Sequence, residues 1–168
     1  MLLTLNHNDI YYLVYLIAPS YIANAIPVLF GGGRSLDLGK YFIDGERIFG
    51  GNKTVKGFIS GLTFGIVASI IGELILMKEL IFLGILASLG SMLGDLFGSF
   101  IKRRLKIGPG SPLPLVDQLD FVIGALILTY PIYRFNFSIV VFMLLITPPT
   151  HIASNAVAYL LKLKKQFW

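Results

Sequence analysis

Three aspartates stand where an otherwise apolar sequence carries few charges. Asp95 lies between Gly94 and Leu96 in one apolar run, and Asp117 and Asp120 begin the next run. If both runs are helices joined by one loop, they are antiparallel neighbours, and the two later aspartates share a helical face. We therefore expect Asp95 and Asp120 to lie at similar depth. Carboxylates gathered in a low-dielectric cleft either take up protons or bind a cation.

Cationic and hydroxyl side chains follow the first of these aspartates. Spacings of four, three and four residues predict a single helical stripe formed by Asp95, Ser99, Lys102 and Lys106. Oxygen ligands suit Mg²⁺, which takes one or two carboxylates together with substrate phosphates. This combination predicts metal-assisted chemistry on a polyphosphate, with Lys and Arg neutralising phosphate oxygens. The alternative is a structural network in which the aspartates pair with these basic residues.

A second segment is a candidate for phosphate binding. It reads Gly50-Gly51-Asn52-Lys53-Thr54, but the P-loop spacing is absent because Asn52 stands at the second glycine position. Backbone amides, Lys53 and Thr54 at a helix start can still hold a phosphate. An ordinary helix start explains the segment equally well.

The composition predicts the environment that must hold these groups. The chain has 168 residues, 55% of them hydrophobic, a net charge of +5 and a mean hydropathy of +0.79. Only 14% are charged, against about 25% in ordinary soluble domains. This excludes a disordered chain, a coiled coil and a water-soluble enzyme, and it predicts an all-α integral membrane protein with one domain, 1–168. The lack of cysteine excludes disulfides and thiolate chemistry.

Five apolar stretches are long enough to be transmembrane helices, which need about 20 residues. They cover about 10–30, 57–77, 80–101, 119–133 and 138–161, and the fourth is the shortest. Thr147-Pro148-Pro149-Thr150 predicts a break in the fifth helix, with His151, Ser154 and Asn155 following it. We interpret the break as a cavity wall. A simple kink, with its polar groups satisfied by neighbours, is the alternative.

Basic residues assign the two sides of the membrane. Five lie in the loop 31–56, four in the loop 102–118 and three in the tail, which leaves only Lys78 and Arg134 for the other side. The positive-inside rule then predicts an outside N-terminus, a cytoplasmic C-terminus and two long cytoplasmic loops. The site is accordingly expected on the cytoplasmic face of a multi-pass cell-membrane protein.

Glycines four residues apart predict close helix packing in the second and third spans. The second span carries Gly57, Gly61 and Gly65, and the third carries Gly90, Gly94 and Gly98. We expect these two helices to touch beside the acidic residues.

The acidic and basic residues also resemble a family signature. The run Gly94-Asp95-x-x-x-Ser99-x-x-Lys102-Arg103, followed by Asp117-Gln118-Leu119-Asp120, is similar to the motif of the CDP-diacylglycerol synthase (phosphatidate cytidylyltransferase) family. Gln118 replaces that motif's arginine, and Pro112-Leu113-Pro114-Leu115 stands where the family has His-Gly-Gly. Upstream, Lys53-Thr54-x-x-Gly57-Phe58 resembles the family's phosphate-loop segment.

The remaining pattern is more similar to a compact archaeal branch, the CDP-archaeol synthases. It comprises Asn24-x-x-Pro27, Gly33-Arg34-x-x-Asp37-x-Gly39-Lys40, Asp44-Gly45-x-Arg47-x-x-Gly50, Pro149-x-His151-x-x-x-Asn155 and a Lys-rich end at Trp168. The resemblance extends from Asn24 to the tail, so it covers nearly the whole chain.

This resemblance implies a Mg²⁺-dependent reaction in which CTP and an unsaturated archaetidic acid, 2,3-bis-O-geranylgeranyl-glycerol 1-phosphate, give CDP-archaeol and pyrophosphate. It implies metal binding by Asp95, Asp117 and Asp120, which with Lys102 form the catalytic group. The residues expected to bind CTP or phosphate are Asn52, Lys53, Thr54, Ser99, Arg103 and Arg104. The candidates for the lipid phosphate are Arg34, Asp37, His151 and Asn155. The expected partners are CTP, a lipid phosphate and the bilayer, with no nucleic acid and a possible homodimer.

Two other functions remain open at this point. A CTP-dependent polyprenol or phytol kinase of the same superfamily would share the carboxylates but phosphorylate an alcohol. A small cation channel or transporter would use the carboxylates as an ion site. The lack of sequence repeats and the concentration of charge on one face disfavour the transporter.

Overall fold

The computed structural model describes residues 5–163, and this part of the chain is helical throughout its regular structure. The elements are α1 (His7–Ala25), α2 (Pro27–Phe30), α3 (Val55–Leu76), α4 (Ile81–Arg104), α5 (Val116–Thr129) and α6 (Phe137–Leu160). The only strand-type pairings within residues 5–163 are two isolated bridges in the loop before α3. The tail residues Lys164, Lys165 and Trp168 lie outside the described residues.

The helix starts follow from local capping chemistry. Asn6 and Asp9 form a capping box at the start of α1, in which each side chain accepts a hydrogen bond from the other's backbone amide at 2.9 Å. The hydroxyl of Thr54 caps α3, and the side chain of Asn136 caps α6. α1 passes directly into the short α2 at Ile26, so the two form one apolar segment.

Within residues 5–163, four segments are long and apolar enough to cross a membrane, which confirms the predicted class. They are His7–Phe30, Val55–Leu76, Ile81–Arg104 and Phe137–Leu160. The predicted span 119–133 is instead the 14-residue helix Val116–Thr129, which begins three residues earlier and ends four residues earlier. The chain turns after Thr129, because the amides of Ile132 and Tyr133 both donate to the Thr129 carbonyl.

α5 packs tightly on α4 through glycine. A methyl group at Gly90 would overlap the Gly124 carbonyl, and one at Gly94 would overlap the Asp120 carbonyl. The glycine stripe of α4 therefore meets α5. α3 and α4 do touch, as predicted, but the contact is made by Gly61 and Gly65 of α3 against larger side chains of α4.

The predicted break in the last helix is also wrong. α6 continues from Phe137 to Leu160 with Pro148 and Pro149 inside it. The hydroxyl of Thr147 donates to the Met143 carbonyl at 2.5 Å, and that of Thr150 donates to the Ile146 carbonyl at 2.8 Å. The two prolines lack N–H donors and cannot form the usual helix hydrogen bonds. The threonine hydroxyls on either side of them supply additional hydrogen bonds to main-chain carbonyls.

Candidate functional site

The two basic loops meet at one end of the helices. α3 begins and α4 ends at this end, and the loop 31–54 folds onto the last turn of α4. Nη2 of Arg104 donates to the carbonyl of Arg47 at 2.7 Å. The guanidinium of Arg103 packs under Gly50, whose φ of 93° is a conformation that favours glycine. The two basic loops therefore lie at the same end of the helices.

An ion pair joins the loop to the membrane-embedded aspartate. Nζ of Lys53 lies 2.5 Å from Oδ2 of Asp95, and both side chains are about one quarter exposed. A cavity of about 50 Å³ opens beside this pair, and its polar lining comes from Asn52, Lys53, Thr54 and Asp95. The cavity is wide enough for a few water molecules. Lysine and a carboxylate thus face a half-open cleft at the start of α3.

A second ion pair connects α4 to α5. Nζ of Lys102 lies 2.8 Å from both carboxylate oxygens of Asp117. The backbone amide of Leu113 donates to the same carboxylate at 2.8 Å. Asp117 is therefore held in place by a cation of α4 and by the loop that precedes α5.

Asp120 lies deeper, against α4. Its side chain occupies the space that a methyl group on Gly98 would need, and its Oδ1 accepts the amide of Phe121 at 2.6 Å. Asp95 and Asp117 are near enough to repel this carboxylate, and Lys53 attracts it. Because Asp120 also contacts Gly94, it lies level with the turn of α4 that carries Asp95, as the antiparallel arrangement predicts.

The carboxylates nevertheless do not form a ready-made metal centre. Within residues 5–163, no three acidic, histidine or cysteine side chains are gathered closely enough to hold a metal ion. Asp95 pairs with Lys53 and Asp117 pairs with Lys102, so two of the three aspartates are each paired with a lysine.

Arg103 is a buried cation with a spare donor. The residue is 6% exposed, and its Nε has no hydrogen-bond partner among the described residues. Leaving such a buried donor unpaired costs about 1–3 kcal/mol. An anion that accepts a hydrogen bond from Nε would remove this cost. Ser99 lies one turn before Arg103 and is half-buried.

Two predicted phosphate ligands have structural contacts. Arg104 lies between two aromatic rings, with its guanidinium carbon 4.8 Å from the ring centres of both Phe42 and Phe100, and its Nε lies 3.0 Å from Asp44. The hydroxyl of Thr54 accepts the amides of Gly32 and Gly57 at 3.1 Å. Arg104 therefore fastens the loop to α4, and Thr54 caps α3 at the edge of the cavity.

Asp37 organises the loop before α3. The carboxylate is buried and accepts hydrogen bonds from Arg47 and from the amides of Gly39, Phe49 and Gly50. Burial raises the pKa of Asp37, but these donors outweigh it and hold the pKa well below its usual range. Arg34, the other predicted lipid-phosphate ligand in this loop, is exposed.

His151 and Asn155 lie next to α5. The His151 ring is 6.3 Å from the ring of Phe121, the residue that follows Asp120. Nδ2 of Asn155 is 3.3 Å from Nδ1 of His151, and Asn155 is buried. The structure thus brings both residues to the α5 side of the acidic group.

Sequence reasoning gave no role to Arg47, although this residue closes the loop through Asp37. It also missed the pairing of Asp44 with Arg104. Both pairs join residues of irregular loops, whose spacing carries no periodicity. The signal that was present is the excess of charge in the loop, which indicates paired residues but not their partners.

Comparisons with known proteins find matches over most of the chain. A sequence profile of the family described as CDP-archaeol synthase (CarS-like) matches residues 6–168. The chain is similar to the CDP-archaeol synthase of Pyrococcus furiosus, at 43% identity over 90% of this chain and 94% of that protein. It is similar to the one of Methanococcoides burtonii at 40% identity, covering 89% of this chain and 99% of that protein. A solved structure described as an intramembrane enzyme for archaeal membrane lipids biosynthesis matches with a TM-score of 0.80 and 38% identity, over 84% of this chain and 91% of that one.

Proposed function

Because the chain belongs to the CDP-archaeol synthase family, we propose that it transfers the cytidylyl group of CTP to 2,3-bis-O-geranylgeranyl-glycerol 1-phosphate. The family assigns the chain to CDP-archaeol synthesis for archaeal membrane lipids, as a cytidylyltransferase within the membrane. In the proposed step, an oxygen of the lipid phosphate attacks the α-phosphorus of CTP. The bond from that phosphorus to the bridging oxygen breaks, and pyrophosphate leaves.

The cleft at the start of α3 carries this proposal. The lipid phosphate is already an anionic nucleophile, so the chain needs no strong general base. Catalysis then rests on positioning and on neutralising phosphate charge. Lys53 lines the cleft, and Lys102 and Arg103 lie in the last turn of α4 at the same end of the helices. The free Nε of Arg103 is a donor for a phosphate oxygen. Asn52 and Ser99 supply neutral polar groups beside them.

The acidic residues fit a hard cation. Asp95, Asp117 and Asp120 offer carboxylate oxygens only, on two helices in contact, which is the donor chemistry that Mg²⁺ prefers. Their spread is too wide for a cage made by the protein alone, so substrate phosphates would complete the ligand set. When bound, Mg²⁺ would neutralise charge on the triphosphate. Lys53 and Lys102 hold two of these side chains, Asp95 and Asp117, in place.

We assign the binding of the lipid phosphate to residues at the same end of the helices. Arg34 is exposed in the loop before α3, and His151 and Asn155 flank α5 beside Asp120. Asp37 contributes indirectly, since it holds the loop in shape through Arg47. We assign Arg104 the same indirect role because its contacts fasten the loop to α4.

The proposed topology has five crossings with the site at the cytoplasmic surface. α5 is 14 residues long, about 21 Å at 1.5 Å per residue, and we assign it as the fourth crossing because it is apolar and packs closely on α4. Five crossings put the two basic loops and the tail on one side, which the positive-inside rule makes cytoplasmic. Single cysteines introduced at Lys78 and Lys106 test this, because a membrane-impermeant thiol reagent should reach them from opposite sides.

Labelled nucleotide distinguishes the possible reactions. Purified protein is incubated with Mg²⁺, CTP labelled at either the α- or the γ-phosphate, and a panel of lipids: the unsaturated archaetidic acid, its saturated counterpart, phosphatidic acid and free polyprenols. The proposal expects α-label in the lipid and γ-label in pyrophosphate. Label from the γ-phosphate in the lipid would instead identify a kinase, and nucleotide-independent ion flux in liposomes would indicate a channel.

A pair of variants connects the activity to the cleft. Asp95→Asn keeps the size of the side chain but removes its charge, so turnover should fall by at least about tenfold while the protein stays folded. Glu73→Gln makes the same change at the opposite end of α3, where the carboxylate accepts the amides of Glu79 and Leu80. The control should retain turnover. Equal losses of turnover in both variants would show that the reaction does not depend specifically on the cleft.

A further inference from the structure

An exposed apolar turn projects from the loop between α2 and α3. We call its residues Tyr41, Phe42 and Ile43 the loop tip. Ile43 is 95% exposed and Tyr41 is 66% exposed. Single exposed apolar residues are common, but three in succession at a turn form a patch that water solvates poorly.

The loop tip is held in this position by its own turn. The amide of Phe42 donates to the Glu46 carbonyl at 2.8 Å, and the amide of Gly45 donates to the Phe42 carbonyl at 3.1 Å. The Asp44 carboxylate accepts the amide of Glu46 at 3.1 Å. Because these hydrogen bonds close the turn, they hold the Ile43 side chain in its exposed position.

Aromatic rings connect the loop tip with the lipid-facing surface of α4. The Phe42 ring packs edge-on against Phe100 at 5.3 Å, and Phe100 stacks on Phe97 at 6.4 Å. Phe97 is 64% exposed on a helix long and apolar enough to span the membrane. The aromatic surface of that helix therefore continues through Phe100 onto the loop tip.

The same contacts fix the depth of the loop tip. Phe97, Phe100 and Arg104 share one face of the last two turns of α4. The guanidinium of Arg104 lies over both Phe42 and Phe100, so the tip is level with the end of the helix. Aromatic and basic residues at this level are typical of the boundary between acyl chains and headgroups.

We propose that the loop tip inserts into the interfacial region of the bilayer that the helices cross. Ile43 and the two aromatic rings lie among the upper acyl chains, and the exposed Lys40 lies among the headgroups, where anionic lipids attract it. The loop that carries Lys53 is then attached to the membrane as well as to α4. This surface is separate from the cleft and does not depend on the reaction proposed for it.

The absence of cysteine from the sequence allows a direct test. Ile43→Cys is labelled with an environment-sensitive fluorophore in nanodiscs made of phosphatidylcholine and phosphatidylglycerol. Ser111→Cys, a near-isosteric change at an exposed position of the other loop, is the matched control. Phe97→Cys provides the lipid-facing reference. Each sample is quenched by iodide in the water and, separately, by lipids with a spin label high on the acyl chain.

The proposal expects the Ile43 probe to behave like the Phe97 probe. Spin-labelled lipid should quench it strongly, and iodide quenching should be several times weaker than at Ser111. A probe at Ile43 that iodide reaches as readily as at Ser111 would place the loop tip in water and overturn the proposal. Shielding from iodide without quenching by the spin-labelled lipid would indicate a protein neighbour, such as a second copy, and would overturn it as well.

Discussion

We predict that the folded shape of the loop before α3 depends on the buried carboxylate of Asp37. Its Oδ1 accepts the Gly39 amide at 3.1 Å and Nη2 of Arg47. Its Oδ2 accepts Nε of Arg47 at 3.1 Å and the amides of Phe49 and Gly50 at 3.1 and 2.9 Å. Asp37→Asn replaces one oxygen by an NH₂ group, which cannot accept hydrogen bonds.

The size of the effect follows from this arrangement. If the NH₂ group takes the place of Oδ1, the hydrogen bonds from the Gly39 amide and from Nη2 of Arg47 are lost, and the second of these is charge-assisted. Both donors then face the NH₂ group, which is itself a donor. We expect the free energy of local opening to fall by about 2–4 kcal/mol. Amide exchange across residues 39–50 should then accelerate by about 30-fold to about 1,000-fold.

The pH dependence of the unmodified loop has a definite sign. The folded-state pKa of Asp37 lies well below the ordinary value near 3.9, so its contribution to stability is complete above that value. It is lost progressively as the pH falls from that ordinary value through the lower, folded-state pKa. Between pH 5 and pH 8, exchange corrected for the intrinsic rate should therefore show no change that is due to Asp37.

Hydrogen–deuterium exchange with mass spectrometry measures this, and Asp44→Asn is the control in the same loop. Asp44 is about one third exposed, accepts one amide at 3.1 Å and pairs with Arg104 at 3.0 Å. Its loss should cost less than about 1 kcal/mol, which is an acceleration below about fivefold. If Asp37→Asn accelerated exchange no more than Asp44→Asn, the loop would not depend on the buried carboxylate.

Two further expectations concern the site and its opposite end. Lys53→Ala should lower turnover by at least about tenfold, whereas Lys162→Ala, at an exposed position after α6, should not; similar losses would indicate a general effect of surface charge. Tyr15→Phe removes the 2.8 Å hydrogen bond that the buried Tyr15 hydroxyl donates to Glu73. The free energy of unfolding in detergent should fall by about 0.5–1.5 kcal/mol, and turnover should stay unchanged. A loss of activity without a loss of stability would contradict this.

The sequence predicted the fold where composition and length decide the outcome. Hydrophobic runs of about 20 residues have few alternatives in a membrane, so four of the helices lie close to their predicted bounds. α5 is short and buried against α4, and its ends depend on that packing and on the turn after Thr129. Proline predicted a break in α6 because the sequence does not show that Thr147 and Thr150 bond the adjacent main chain.

The candidate site was predictable in its location but not in its pairings. An aspartate within an apolar run is costly, so Asp95 indicated a compensated position without any structure. The compensating residue is Lys53, which lies 42 positions earlier in the chain. That contact arises because the loop 31–54 folds onto the end of α4, and no local pattern encodes such a fold. For the same reason the sequence did not predict that Arg104 packs between aromatic rings.

Glycine at the α4–α5 contact provides a test of where Asp120 must lie. A methyl group at Gly98 would overlap the Asp120 carboxylate, which is the mobile end of a side chain, whereas one at Gly94 would overlap a backbone carbonyl. Gly98→Ala should therefore stay folded but move the carboxylate and reduce turnover, and Gly94→Ala should lower thermal stability sharply. Gly72→Ala is the control, because its methyl group would meet only the Tyr15 ring at an ordinary 3.7 Å, and alanine favours the helix by up to about 1 kcal/mol. Normal turnover in a stable Gly98→Ala protein would show that the reaction does not need the Asp120 carboxylate where the structure places it.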